Sequence, residues 1–301
     1  MKSNMITLQI AFRKAENLAR KRSTKAWLMA NCLIPRKRVK YLFLCYAYLR
    51  WVDNLIDNKH LTAADKNIFI NRQFDLINDL IAGKETTPNH IEEIYLFHFI
   101  SFATQENEKH LISMLLDMLT TLKMDAQRLE KDGMFNNKEL EEYISLSTRA
   151  MFGLVFSFMF PQKQFSSNEE IGKLLWYAGT LRDLQDDLNS GFINISREDF
   201  NKFCLHKNNF FDDGRFNVWL REKILSVIGL LDAEILILKK QPLRFRLFWC
   251  LAYPIYLHKI IRIKTFDYSF SYLKKPNLKR EVRAFLASVT LGIKTIFQII
   301  L

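Results

Sequence analysis

Glycine and proline are scarce, at 9 and 6 of 301 residues. Their scarcity removes the punctuation that hairpins and tight turns need and leaves long helices as the default. No useful stretch alternates apolar and polar residues as a half-buried strand does, and there is no internal repeat or low-complexity tract. The four cysteines, Cys32, Cys45, Cys204 and Cys250, are widely spaced and form no CxxC or Cys/His pattern. A zinc site or disulfide framework is therefore not expected, and the setting reads as reducing and cytoplasmic. The six histidines show no HExxH or paired arrangement. The N-terminal residues lack a long apolar run followed by a small-residue cleavage site, so they do not read as a secretory signal. A charge-free span long enough to cross a bilayer is also missing.

What is present is an excess of positive charge, 44 Lys and Arg against 32 Asp and Glu, for a net +12. Such a balance suits nucleic acid, an anionic membrane surface or a polyphosphate substrate. The basic residues are dispersed and no nucleic-acid module accompanies them, so nucleic acid is not expected as a partner. Two segments come nearest to membrane character, Leu243 to Ile263 and Ala284 to Leu301. Both fit peripheral membrane contact, and both fit packed core helices equally well.

With no linker in view, one all-α domain over residues 1–301 is expected, a single helix bundle around a central cavity. Helical periodicity and start and stop signals predict helices over about 5–21, from after Pro35 to about Asn58, and over about 62–82, 90–104, 108–131, 137–160, 167–190, 214–240, 243–265 and 278–300. A polar break at Arg22 to Lys25 and a helix start near Ser196 complete the pattern.

The chain is organised around Tyr41 to Asp57, YLFLCYAYLRWVDNLID. Tyr46, Arg50, Asp53 and Asp57 fall at i, i+4, i+7 and i+11, on one helical stripe. The residues before them leave no polar face, so the helix reads as buried on all sides and the acids as interior. Carboxylates buried in that way are paired or metal-bound. Asp75 and Asp79 share the spacing, but a clean apolar face of Phe74, Leu76, Ile77, Leu80 and Ile81 leaves them on the solvent side. A second acidic helix, IGKLLWYAGTLRDLQDDLNSG, repeats the device: Trp176, Gly179, Thr180, Asp183 and Asp187 share a face. Two such helices facing each other across a cavity would suit Mg²⁺, which takes a few carboxylates together with water and phosphate oxygens. Lys25 reads as a diphosphate-gripping point charge or as a solvated loop lysine. Arg149 is expected to snorkel at a bundle edge. Asp125 and Arg128, at i and i+3, read as a surface ion pair.

These motifs resemble the squalene/phytoene synthase family, whose members join two prenyl diphosphates head to head. The resemblance runs from about Ser23 to Phe200. Arg50-Trp51-Val52-Asp53-Asn54-Leu55-Ile56-Asp57 is similar to the family's Arg, two residues, then Asp-Asp-x-x-Asp. Ser23-Thr24-Lys25-Ala26-Trp27 resembles the Ser-Lys-Ser-Phe segment at the diphosphate end. The MDAQR segment and ELEEY, ending at Tyr143, resemble the approach to the family's tyrosine-bearing helix. Leu181-Arg182-Asp183-Leu184-Gln185-Asp186-Asp187 is similar to Leu-Arg-Asp-x-x-Glu-Asp, and Gly191 to Ser196 echoes Gly-Arg-x-Tyr-x-Pro. Asn54 stands for the middle aspartate, Trp176 and Gly179 for the usual Gln and Asn, and Phe192 and Ser196 for Arg and Pro.

The resemblance implies an isoprenoid synthase fold in which Asp53, Asp57, Asp183 and Asp187 bind Mg²⁺, with Mn²⁺ as a substitute. It implies that Lys25, Arg50 and Arg182 hold diphosphate and that Trp27, Tyr46, Tyr143, Trp176 and Gly179 line the cavity. The implied substrate is farnesyl or geranylgeranyl diphosphate, and the implied product phytoene, dehydrosqualene or, with NADPH, squalene. The family carries no nicotinamide fingerprint, so NADPH use stays open. Two rival readings stand beside this one: a class I terpene cyclase acting on one prenyl diphosphate, and a degenerate, non-catalytic helical protein.

Overall fold

A computed structural model of the chain describes residues 2–161, 169–206 and 214–265, together with helical positions between 279 and 297. The protein is all-α. Among the described residues there is no strand, only an isolated parallel bridge between Met134 and Ile193. Eleven helices lie within the described stretches up to 265: α1 (Lys2–Arg22), α2 (Thr24–Leu33), α3 (Arg36–Ile56), α4 (Ala63–Ile81), α5 (Ile91–Gln105), α6 (Lys109–Leu129), α7 (Asn137–Met159), α8 (Glu169–Asn189), α9 (Arg197–Lys202), α10 (Gly214–Lys239) and α11 (Leu243–Thr265). The polar break expected at Arg22 to Lys25 is one residue wide. Ser23 accepts a hydrogen bond from the Ala26 N–H and caps α2, a helix absent from the sequence reading.

Residues 1–132 and 146–167 form one compact unit, and 133–145 with 168–301 form another. Helix α7 contributes to both.

In the first unit α3 packs against α1, α5 and α6. Ala11, Ala15 and Ala19 recur at helical spacing on α1 and are buried, so α1 can approach α3 closely. Only one side of α3 is closed. Phe43, Leu44, Cys45, Ala47, Tyr48, Val52 and Ile56 are buried, whereas Tyr46 is 37% exposed. Helix α3 is therefore buried along one face and open along the other, not buried on all sides.

Two buried polar clusters hold the unit together. The Arg38 guanidinium donates to both Glu108 carboxylate oxygens, at 2.8 and 2.6 Å. It also lies over the rings of Phe102 and Phe158, so both its charge and its flat faces are satisfied. Deeper along α3, the Tyr48 hydroxyl donates to Gln73 at 3.2 Å. Gln73 in turn donates to Glu93 at 3.3 Å, and Arg72 is ion-paired with the same carboxylate. This chain of bonds ties α3, α4 and α5 through groups that would be costly to leave unpaired. On the outer face of α4, Asp75 is exposed and Asp79 pairs with Lys84 at 2.7 Å.

In the second unit α8 packs against α10 and α11. Among its described side chains Ala178, Leu181 and Leu184 are buried, in a core that includes Phe216, Trp219, Leu220, Phe245 and Trp249. The loop after α8 is fixed by a close crossing of two glycines in left-handed conformation, Gly133 (φ +77°) and Gly191 (φ +91°). A Cβ on Gly133 would stand 2.0 Å from the Gly191 carbonyl oxygen, so only glycine fits there. Backbone bonds lock the crossing: Ile193 N–H donates to the Gly133 carbonyl at 2.9 Å and Arg197 N–H to the Phe135 carbonyl at 2.8 Å. All four cysteines are free, and no helix among the described residues is long and apolar enough to cross a membrane.

Candidate functional site

The stripe on α3 lies along its open side. The side chains of Arg50 and Asp53 are about one-third exposed, at 36% and 30%, and the guanidinium of Arg50 grips the Asp53 carboxylate. Asp57 forms the C-cap of the helix, its N–H donating to the Asp53 carbonyl, and its side chain meets solvent. These acids are thus accessible at a helix surface and are not sealed in an interior. A charged ligand can reach them, and the apolar wall behind them is the buried face of the same helix.

Their electrostatics carry the strain of crowding. Burial raises Asp53, with Asp125 adding to the effect, while Arg50 and then Arg22 counter it. Asp57 is pushed up to about 6 by loss of water on its inner side and by the negative charges of Asp53 and Asp125, against weaker relief from Arg50 and Lys66. Lys66, buried on α4, is lowered by burial and partly restored by Asp57. Carboxylates raised by burial and by neighbouring negative charge gain most from a divalent cation. The donor set is all oxygen, which suits Mg²⁺ or Mn²⁺. Among the described residues no three His, Cys, Asp or Glu side chains form a ready ligand set. A cation here would be completed by water and by substrate oxygens, the habit of Mg²⁺.

Asp125 and Arg128 do not form the surface pair expected of them. Both are buried, at 8% and 4% exposure, and joined at 2.7 Å. The reason is their place on α6. Asp125 lies at i+14 from Leu111 and i+3 from Leu122, on the buried face. Arg149, in contrast, is exposed and pairs with Asp117 at 2.9 Å. Lys25 is exposed in the first turn of α2. Trp27, two residues on, donates its indole N–H to Glu16 at 3.1 Å, with Arg20 over its ring.

On α8, Trp176, Gly179, Asp183 and Asp187 are all half-buried. The Trp176 ring meets Tyr143 edge-on, with centroids 6.1 Å apart, and Tyr143 in turn packs on Phe135. Two of the expected cavity residues are therefore neighbours. Asp187 accepts a hydrogen bond from the Asn194 side-chain amide at 2.7 Å, and its backbone carbonyl accepts from the Phe192 N–H. The loop pinned by the glycine crossing thus delivers Asn194 to Asp187, a partner that the sequence reading did not assign. The side chain of Arg182 lies outside the described residues. Beside α8, a small cleft lined by Thr180, Asn194, Asp199, Trp219 and Lys223 is internally satisfied: Asp199 accepts from the Trp219 indole at 3.2 Å and pairs with Lys223 at 2.9 Å.

Comparison with known proteins adds the family to this geometry. The family model described as squalene/phytoene synthase matches residues 20–282. No curated protein matches the chain. Among solved structures, squalene synthase HpnC from Alicyclobacillus acidocaldarius is similar at 15% identity with a TM-score of 0.68, covering 88% of this chain and 97% of that one. A dehydrosqualene synthase in complex with ligand is similar at 19% identity with a TM-score of 0.62, covering 94% of this chain and 97% of that one. These structures share the all-α isoprenoid synthase fold, and the span of the family model, which takes in both acidic helices, places the chain in the squalene/phytoene synthase family.

Proposed function

We propose that this protein is an Mg²⁺-dependent prenyltransferase that condenses two allylic prenyl diphosphates head to head and releases diphosphate. The observation that carries the reading is the α3 stripe. Arg50, Asp53 and Asp57 lie on the accessible side of one helix, with both acids raised by burial and by Asp125, and Asp57 by Asp53 as well, inside the span matched by the family.

In this reading Asp53 and Asp57, and likewise Asp183 and Asp187, hold Mg²⁺, for which Mn²⁺ can substitute. Lys25, Arg50 and Arg182 bind diphosphate oxygens, Arg182 by its position alone. The bound cation supplies neutralisation of the charge that builds on the departing diphosphate. As the allylic C–O bond of the first substrate breaks, its electron pair leaves with the diphosphate. The alkene of the second substrate then supplies the electrons of the new C–C bond, and a proton is lost as a cyclopropylcarbinyl diphosphate forms. Aromatic side chains, Tyr143 and Trp176 among them, wall the reacting carbons and exclude water that would quench the cation. A second ionisation and rearrangement gives phytoene or dehydrosqualene by proton loss, or squalene if NADPH delivers a hydride.

Incubation of the purified full chain with farnesyl or geranylgeranyl diphosphate, with Mg²⁺ and with EDTA, tests the reading. A C30 or C40 hydrocarbon formed only with the metal supports condensation. A C15 or C20 product would instead mark a terpene cyclase. No diphosphate release, with no Mg²⁺-dependent thermal shift, would mark a non-catalytic protein.

A further inference from the structure

Lys66 is only 5% exposed, yet among the described residues its ammonium takes part in no hydrogen bond or ion pair. A charge removed from water in this way is costly unless something offsets it. Its place adds to the cost, because Lys66 is the fourth residue of α4, near a helix N-terminus, where the dipole disfavours a cation. The backbone that carries it is held. Asn67, beside it, donates to Glu130 at 2.6 Å, and one turn further Asn71 accepts from Lys123 at 2.9 Å, so α4 is tied to α6 and its C-cap.

The charge that acts on Lys66 is the Asp57 carboxylate of α3. Asp57 belongs to a group of three acids with Asp53 and Asp125. Arg50 is taken by Asp53, and Arg128 is joined to Asp125. Asp57 itself has no ion pair, and Lys66 stands near it without reaching salt-bridge distance. Arg50, Lys66 and Arg128 thus balance the three carboxylates before any metal arrives, with Arg22 acting on Asp53 from the exposed end of α1. A divalent ion entering beside Asp57 meets the Lys66 charge as repulsion, which is strong where little water intervenes. Diphosphate carries enough negative charge to offset both cations. We propose that Lys66 is the internal counter-cation of the α3 acids, a positioning residue that weakens their hold on a divalent ion until diphosphate arrives. The inference rests on the reading of Asp53 and Asp57 as metal ligands. Lysine suits the task, since its stem fills apolar space while its ammonium acts as a compact point charge.

Titration of the substrate-free full chain with Mn²⁺ at about pH 8, where carboxylates are ionised, tests it. Bound ion is read from the loss of the free Mn²⁺ electron paramagnetic resonance signal. Lys66→Met should bind Mn²⁺ on the order of tenfold more tightly than the wild type, because a like charge is gone. Lys66→Arg, which keeps the charge, should stay within about twofold of the wild type. The gain should vanish in Lys66→Met/Asp57→Asn, since it acts through Asp57. If Lys66→Met fails to fold by circular dichroism, Lys66→Gln supplies the same comparison. Equal affinities in the wild type and the neutral variant would overturn the proposal. So would a gain in Lys66→Arg as large as in Lys66→Met, or a gain that survives Asp57→Asn. A parallel titration with inorganic diphosphate separates this inference from the reading beneath it. Wild-type uptake of Mn²⁺ with diphosphate, lost in Asp53→Asn, alongside an unchanged Lys66→Met, would overturn the role of Lys66 alone. No uptake by any variant, with or without diphosphate, would overturn the metal site and the inference together.

Discussion

The side-chain amide of Asn194 donates a hydrogen bond of 2.7 Å to the Asp187 carboxylate, and so fixes one oxygen of an acid that we propose binds metal. Groups that orient a metal ligand commonly change affinity by about 10–100-fold when removed. Asn194→Ala should therefore raise the Mg²⁺ concentration for half-maximal activity about tenfold, with a smaller change in thermal stability. Metal titrations of the initial rate check this. An unchanged Mg²⁺ dependence alongside a large drop in stability would make Asn194 merely structural.

The loop carrying Asn194 is held by the Gly133–Gly191 crossing. Gly133→Ala would place a Cβ 2.0 Å from the Gly191 carbonyl and force a left-handed backbone on alanine. The expected loss is about 2–4 kcal/mol of stability, measured by denaturant unfolding, with Mg²⁺ affinity falling as it does for Asn194→Ala.

On α3, function and stability should oppose each other. Because Asp57 is held well above the usual aspartate value by burial and by Asp53 and Asp125, its charge is unwelcome in the metal-free fold. Asp57→Asn should reduce turnover by about 10²–10³-fold yet stabilise the metal-free protein at neutral pH by roughly 1 kcal/mol, after allowance for solvent screening. Activity assays and thermal melts on the same preparation separate the two effects. Loss of activity with loss of stability would point to simple misfolding.

The buried Asp125–Arg128 pair should behave differently. Replacing Arg128 with Met takes the Arg128 counter-charge from a buried carboxylate, a change that typically costs about 3–5 kcal/mol. Chemical denaturation measures it, and a loss below about 1 kcal/mol would show that the pair is effectively solvated.

That pair also marks where sequence reasoning stops. The helices were legible because glycine and proline are rare and the apolar period is clear; the stripe of Tyr46, Arg50, Asp53 and Asp57 follows from the period alone. Asp75 and Asp79 were separated from it correctly, since Leu76 and Ile77 define an apolar face that excludes them. An i, i+3 ion pair, however, is written identically whether water or protein surrounds it. The burial of Asp125 and Arg128 comes from packing of α6 against α3 and α4, which local spacing does not encode. For the same reason α3 read as fully buried: its composition is apolar all round, and only tertiary packing leaves one face open. The Asn194–Asp187 bond was hidden because it depends on a loop folded by two distant glycines.

Glu93 supplies the pH dependence. Its side chain is fully buried. Bonds from Arg72, the Asn89 N–H at 2.6 Å and Gln73 outweigh the desolvation that opposes them and hold its pKa below the ordinary glutamate value. The unfolded chain therefore takes up this proton at a higher pH than the folded one. The stability due to Glu93 is present above about pH 4.3 and is lost as the pH falls through and below that value. Glu93→Gln should cost about 2 kcal/mol at neutral pH and flatten the acid limb of the stability profile, as followed by urea unfolding from pH 7 down to 3. An acid limb of unchanged slope would assign the dependence to other carboxylates.

The central claim is settled most directly by carbon count and stoichiometry. Mass spectrometry of the hydrocarbon made by the purified chain from a single allylic diphosphate, with parallel measurement of released diphosphate, should find a product of doubled chain length and two diphosphates released for each molecule formed. A hydrocarbon of the substrate's own carbon number, with one diphosphate released, would contradict the account.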